Sequence, residues 1–189
     1  MHGKRSFWKM SEKKRSQTAE KTRKIIISAL FAALCCVATM VIQIPSPTNG
    51  YVNLGDCFVL LSGFVLGPVY GTLAAGVGSA LADLLSGYAY YAPGTFVIKA
   101  AVAIVACLIF KALFAAGKYK ILMRIIASLC GEIVMVIGYF GYAALILGNG
   151  LSALSGVPSN LVQAAAGIIG AVLLAEVFDR VHIAENFIK

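Results

Sequence analysis

Four ionisable side chains that topology does not account for lie within or beside the long apolar stretches of this sequence: Asp56, Asp83, Lys99 and Glu132. A charge at the centre of a membrane span costs roughly 2.5 kcal/mol or more, so each is expected to face a bundle interior or a cavity and to have a use there. Asn53, Tyr88, Tyr90, Tyr91, Thr95, Tyr139, Tyr142, Asn160 and Gln163 fall at a similar depth. Asn160 and Gln163 are three apart and share one helix face. The chemistry this set can do is binding, in a pocket with polar and aromatic walls. Catalysis has no visible agent. The only histidines, His2 and His182, lie in the tails, and no HExxH, GxSxG or phosphate-loop sequence occurs. No metal or cofactor is expected. Any uphill transport must then be powered by an ion gradient or by another subunit that hydrolyses ATP. Cys35, Cys36, Cys57, Cys107 and Cys130 lack zinc or redox spacing and read as small apolar residues.

Composition says what kind of element must position these groups. Of 189 residues, 60% are hydrophobic and 13% charged, with a mean hydropathy of +0.87. Soluble domains are roughly 45–50% apolar, so a water-soluble globular domain is excluded. Residues 1–24 form a basic head, with nine Lys or Arg against Glu12 and Glu20. Such a run beside a first span reads as a topology signal that keeps the head inside, with anionic lipid as an added contact. Nucleic acid is not the expected partner. The apolar run 25–44 is too long for a signal-peptide core and lacks a convincing cleavage site, so a retained anchor is expected.

Apolar segments follow at 23–44, 56–85, 95–116, 121–147 and 161–178, separated by Pro/Gly-rich or charged links. The stretch 56–85 is broken by Gly67-Pro68 and could be one long span or two short ones. Charge decides between them. With two crossings, the loops at 45–55, 86–94 and 148–159 lie outside, and none holds a Lys or Arg. Fifteen of sixteen basic residues then lie on the inner side, including Lys111, Lys118, Lys120, Arg124, Arg180 and Lys189. The expected architecture is an all-α integral membrane protein of six transmembrane helices with cytoplasmic N and C termini. Its parts are a head at 1–24, a membrane domain at 25–178 and a tail at 179–189. A re-entrant hairpin would satisfy the same charges.

Under this topology Asp56, Asp83 and Lys99 share the outer side, where Lys99 could pair with Asp83. Glu132 lies ~20 Å below the outer end of its segment at 1.5 Å per residue. It could pair with a helix terminus or a partner subunit, or extend the pocket. Small residues form a second pattern. Ala29 and Ala33 make an AxxxA face on the first helix, and Gly63, Gly67 and Gly71 repeat the spacing. These faces permit close helix approach, either within the chain or to another membrane protein.

The basic head, the AxxxA of helix one, Asn53-Leu54-Gly55-Asp56, Gly67-Pro68-Val69-Tyr70-Gly71, Asp83, Lys99, Gly131-Glu132, Gly138-Tyr139, and Asn160 with Gln163 occur in an order that resembles a known family. It is the substrate-binding S component of energy-coupling factor (ECF) vitamin transporters, in particular the riboflavin, hydroxymethylpyrimidine and pyridoxine type. The resemblance implies a non-catalytic subunit of a prokaryotic plasma membrane that captures a small vitamin or precursor from outside. It implies docking through Ala29 and Ala33 onto a transmembrane coupling subunit that carries two ATPase subunits, with toppling in the bilayer carrying the ligand across. The expected substrate-binding residues are Asn53, Asp56, Asp83, Tyr90, Tyr91, Thr95, Lys99, Tyr139, Asn160 and Gln163, with Glu132 as a further candidate. A polar heteroaromatic ring suits them, tyrosines stacking on its faces and amides meeting its edge. Lys99 would favour a phosphate or carboxylate, unless Asp83 or Asp56 balances it. The competing reading is a self-sufficient secondary transporter or channel with Asp83, Lys99 and Glu132 as an ion path, although the internal repeat common in such folds is missing.

Overall fold

A computed structural model describes residues 2–46, 51–115 and 119–181, with side chains from residue 17 onward. Pro47, Lys118, His182 and Lys189 therefore lie outside the described residues, as do parts of the first outer loop, the basic link and the tail. The long helices are α1 (His2–Val41), α2 (Gly55–Leu85), α3 (Ala92–Phe114), α4 (Lys120–Gly141) and α5 (Val157–Arg180). Among the described residues, five helical stretches are long and apolar enough to cross a membrane: Gln17–Val41, Gly55–Leu85, Ala92–Phe114, Lys120–Ile146 and Gly150–Arg180.

The second of these is a hairpin. Gly67 has φ 79° and ψ −171°, a combination outside the helical region that only glycine adopts without strain. Pro68 follows, its fixed φ suited to starting a new helix and its missing N–H no loss there. The halves 55–66 and 68–85 then fold back on one another. The Ser62 hydroxyl reaches both Val59 O at 2.7 Å and Gly71 O at 3.0 Å. Nine residues of straight helix would separate Ser62 from Gly71 by ~13 Å. The reversal brings Asp56 and Asp83, near opposite ends of α2, to the same end of the bundle. The break at Gly67-Pro68 divides α2 as the sequence allowed, while among the described residues five stretches, against the six transmembrane helices expected, meet the length of a span.

Two short features depart from the expected loops. Ile44 and Pro45 (β1) pair antiparallel with Val52 and Tyr51 (β2). The stretch 148–159, expected as a loop, contains a 3₁₀ helix over Gly150–Gly156. A π-helical turn, Tyr142–Ile146, joins α4 to it.

The interior is built from small and medium side chains, the outside from large ones. Cys35, Val59, Leu60, Ala75, Val102, Ala103, Ala106, Met135 and Ala171 form the main buried cluster. Leu145, Leu151, Ile137 and Leu173 are exposed. That inversion relative to a soluble core is what a lipid solvent permits, since helices gain by close approach rather than by hiding leucines. Cys35 and Cys107 are buried and the other three thiols half-buried, and all five are free. At the end remote from the Asp56 and Asp83 carboxylates, Arg124 binds Glu176 at 2.8 Å and Asp179 at 2.9 Å, and Lys120 reaches Asp179 at 2.5 Å. These pairs tie the start of α4 to the end of α5.

Candidate ligand-binding site

The β-hairpin sets the geometry of the site's first wall. Strand alternation places Tyr51 and Asn53 on one side of the chain. The Tyr51 hydroxyl donates to Asp83 Oδ1 at 2.6 Å, and the Tyr51 ring meets that of Tyr88 at a centroid distance of 4.7 Å. Burial first, and the Asp83 hydrogen bond second, push the Tyr51 phenol above its ordinary range, so it stays a neutral donor. Asn53 Oδ1 accepts the Gly55 N–H at 2.8 Å, an Asx turn that opens α2.

Below lies a closed chain of hydrogen bonds. The Asn53 N–H donates to Gln163 Oε1 at 2.9 Å, Gln163 Nε2 donates to Asp56 Oδ2 at 2.6 Å, and Asp56 Oδ1 takes the Lys99 ammonium. Lys99 also lies 5.2 Å from the centroid of the Tyr139 ring. Asp56, Lys99 and Gln163 are each at most 2% exposed. Gly167 on α5 makes the packing possible, because a Cβ there would stand 2.7 Å from Asp56 Cβ and 3.3 Å from Glu132 Oε1. Glu132 is therefore next to Asp56. Both its oxygens are buried with no hydrogen-bond partner among the described residues.

Above this floor is a cleft of about 530 Å³, open mouth included. Its walls include Tyr51, Asn53, Asp83, Tyr91, Thr95, Tyr139, Phe140, Asn160 and Gln163. Tyr139 donates to Thr95 Oγ1 at 3.0 Å, and its ring lies 6.3 Å from that of Tyr91. Ala153 and Gly156 of the 3₁₀ segment close one side.

Seven of the expected binding residues, Asn53, Asp83, Tyr91, Thr95, Tyr139, Asn160 and Gln163, therefore line one cleft. Asp56 and Lys99 do not reach its surface and form the buried floor. Lys99 pairs with Asp56, whereas Asp83 is held by Tyr51. Tyr90 is 47% exposed and contributes its backbone instead, its carbonyl accepting the Tyr142 hydroxyl at 2.8 Å. Glu132 belongs to the floor. Sequence reasoning passed over Tyr51, Ser46, Phe140, Ala143, Ala153 and Gly156. The period-2 relation of Tyr51 to Asn53 was the available signal for the first; an alanine or glycine in a loop carries none. Ala29 and Ala33 are both exposed, while Ala32 and Cys35, one helix face away, meet Gly78 of α2.

Comparison with known proteins adds an independent line. The family model described as "ECF-type riboflavin transporter, S component" matches residues 19–180. An uncharacterised protein of Pyrococcus woesei is 37% identical over 134 residues, covering 70% of this chain and 86% of that protein. The thiamine precursor transporter HmpT of Lactococcus lactis subsp. cremoris is 27% identical over 169 residues, covering 88% and 94%. Among solved structures, one described as the S component of a bacterial ECF transporter superposes with a TM-score of 0.67 at 22% identity, covering 85% of this chain and 97% of that one. At that identity the likeness speaks to the fold.

Proposed function

The chain belongs to the family of S components of ECF-type riboflavin transporters, multi-pass membrane proteins, and from that premise we propose that it captures a small ring-shaped vitamin or vitamin precursor in the cleft between Tyr51, Asp83, Tyr139 and Asn160. The observation that carries this reading is the convergence of seven polar and aromatic residues from five separate parts of the chain on one open cavity. Its tyrosines offer faces on which a ring can stack, and its polar side chains offer partners for the ring's edge. The family description names riboflavin and one relative is named for a thiamine precursor, so these two ring systems are the first to test.

In this proposal the two halves of α2 each cross the bilayer, giving six spans. The head 1–24 and the tail 179–189 are cytoplasmic flanks of the membrane domain 25–178, and the cleft opens outward at a prokaryotic plasma membrane. Support comes from the Lys- and Arg-free loops around the cleft and from the basic residues at the opposite end. The subunit is non-catalytic. Ala29 and Ala33 dock it onto a transmembrane coupling subunit carrying two ATPase subunits, and their exposure leaves that face open for a partner helix.

The deciding experiment is mass spectrometry of the small molecule that co-purifies with the chain, followed by calorimetric titration of that molecule in the absence of ATP. Tight binding without nucleotide, and uptake only when the coupling module is present, are expected. Uptake by the chain alone in vesicles would replace this reading with a secondary transporter.

A further inference from the structure

The hydrogen-bond inventory of the cleft restricts the charge of its ligand, given the binding role just proposed. No Lys, Arg or His lines the cleft. The nearest cation, Lys99, is 2% exposed and is already held by Asp56, with Tyr139, a wall residue, against its ammonium. Asp56 has no free oxygen either, since Gln163 takes the second, and the Gln163 carbonyl is occupied by the Asn53 N–H. Lys99, Asp56 and Gln163 are thus saturated. The floor is also rich in carboxylate, because Glu132, its oxygens without partners among the described residues, adds a second acid beside the single lysine.

Among the residues that line the cleft, Asp83 alone has a buried side-chain oxygen without a hydrogen-bond partner among the described residues. It lines the cleft, is 4% exposed, and gives Oδ1 to the Tyr51 hydroxyl at 2.6 Å. Its other oxygen, Oδ2, is buried and makes no hydrogen bond of good geometry among the described residues, the Thr95 hydroxyl being the one protein donor close enough to turn toward it. Tyr51 has one hydrogen and spends it on Oδ1, so it cannot serve Oδ2 as well. A buried acceptor without a donor is costly, and an N–H to carboxylate bond is among the stronger hydrogen bonds.

The geometry points to a ligand that is uncharged or cationic and donates a ring N–H or amino hydrogen to Asp83 Oδ2, with phosphorylated forms of the same compound excluded. A phosphate would enter a cleft lined by an acid, with no unspent cation to meet it. Asp83 is then the residue that sets specificity, and Lys99 has no direct part in it. This revises the expectation that Lys99 would favour a phosphate or carboxylate.

The test is calorimetric titration of the purified full chain with riboflavin and hydroxymethylpyrimidine. Each is compared with its monophosphate and with an analogue whose ring N–H or amino hydrogens are replaced by methyl groups. The parent that binds is expected to lose about tenfold or more on methylation and about thirtyfold or more on phosphorylation. In Asp83→Asn, the amide oxygen stays with Tyr51 and the NH₂ turns to the ligand, so parent affinity falls about tenfold and the penalty for phosphate narrows. Should that variant fail to fold, the methylated analogue on the unaltered chain reads the same contact. A monophosphate or methylated analogue bound within about threefold of its parent overturns the inference and leaves the binding role standing. Were Oδ2 to carry a proton and donate, the methylated analogue would bind in just this way. Failure of both parents to bind overturns these two ring systems as ligands, and the same comparisons are then made on the co-purifying molecule.

Discussion

Gln163 on α5 donates its side-chain amide to Asp56 at the start of α2, at 2.6 Å and across 107 residues of sequence, while its carbonyl receives the Asn53 N–H. One side chain therefore closes both the floor of the cleft and the turn that begins α2. Gln163→Leu keeps most of the volume but leaves the Asn53 N–H and Asp56 Oδ2 buried without partners. A loss of about 2–6 kcal/mol of stability is expected, at about 1–3 kcal/mol per orphaned group. Thermal unfolding in detergent measures it, and an unchanged midpoint would show that the chain of bonds is dispensable.

The Lys99–Asp56 pair carries a different signature. Removing one partner leaves an uncompensated charge in a membrane interior, so Lys99→Met alone should cost about 3–5 kcal/mol. Replacing both, as Lys99→Met with Asp56→Asn, removes the charge together with its counter-charge and should recover more than half of that loss. A double-mutant cycle on unfolding midpoints gives the coupling directly. Additive losses would mean that the two side chains do not act as a pair.

The contrast between these two contacts explains what was legible in the sequence. That Asp56, Asp83 and Lys99 share one end of the bundle followed from hydropathy and the placement of basic residues, because a lipid solvent makes every charge conspicuous. Which acid Lys99 pairs with did not follow. Asp56 and Asp83 are 27 residues apart in sequence, and the hairpin places both at the same depth. Only the rotation of each half about its axis selects the partner. Tyr51 escaped notice because strand pairing of two residues with two is too short to leave a pattern. The lining by Ala153 and Gly156 depends on where the 3₁₀ segment folds, which no side-chain chemistry announces.

The face carrying Ala29 and Ala33 is exposed in the isolated chain, so bulk added there meets no neighbour. Ala29→Trp with Ala33→Trp should leave ligand affinity within about twofold while abolishing uptake in cells that hold the coupling module. Paired titration and transport assays separate the two effects. Lost affinity would instead place these residues in the chain's own packing.

At Gly67 the backbone rather than space is limiting. The nearest atom to an added Cβ is Lys111 Nζ at 3.7 Å, so alanine would not clash, yet φ 79° is strained for any L side chain. Gly67→Ala should lower stability by about 1–3 kcal/mol with ligand affinity preserved in the folded fraction. Equal stability would indicate that the turn relaxes freely.

The hairpin also makes the hydrophobic girdle of this protein uneven. Its first half, residues 55–66, is roughly 18 Å long at 1.5 Å per residue, against about 30 Å of hydrocarbon. With that half crossing the bilayer as proposed, lipids along its flank must thin, at fractions of a kcal/mol per Å of mismatch, whereas leaning would shorten its reach further. The bilayer beside residues 55–66 is therefore the place where the six-span arrangement proposed above deforms its surroundings most.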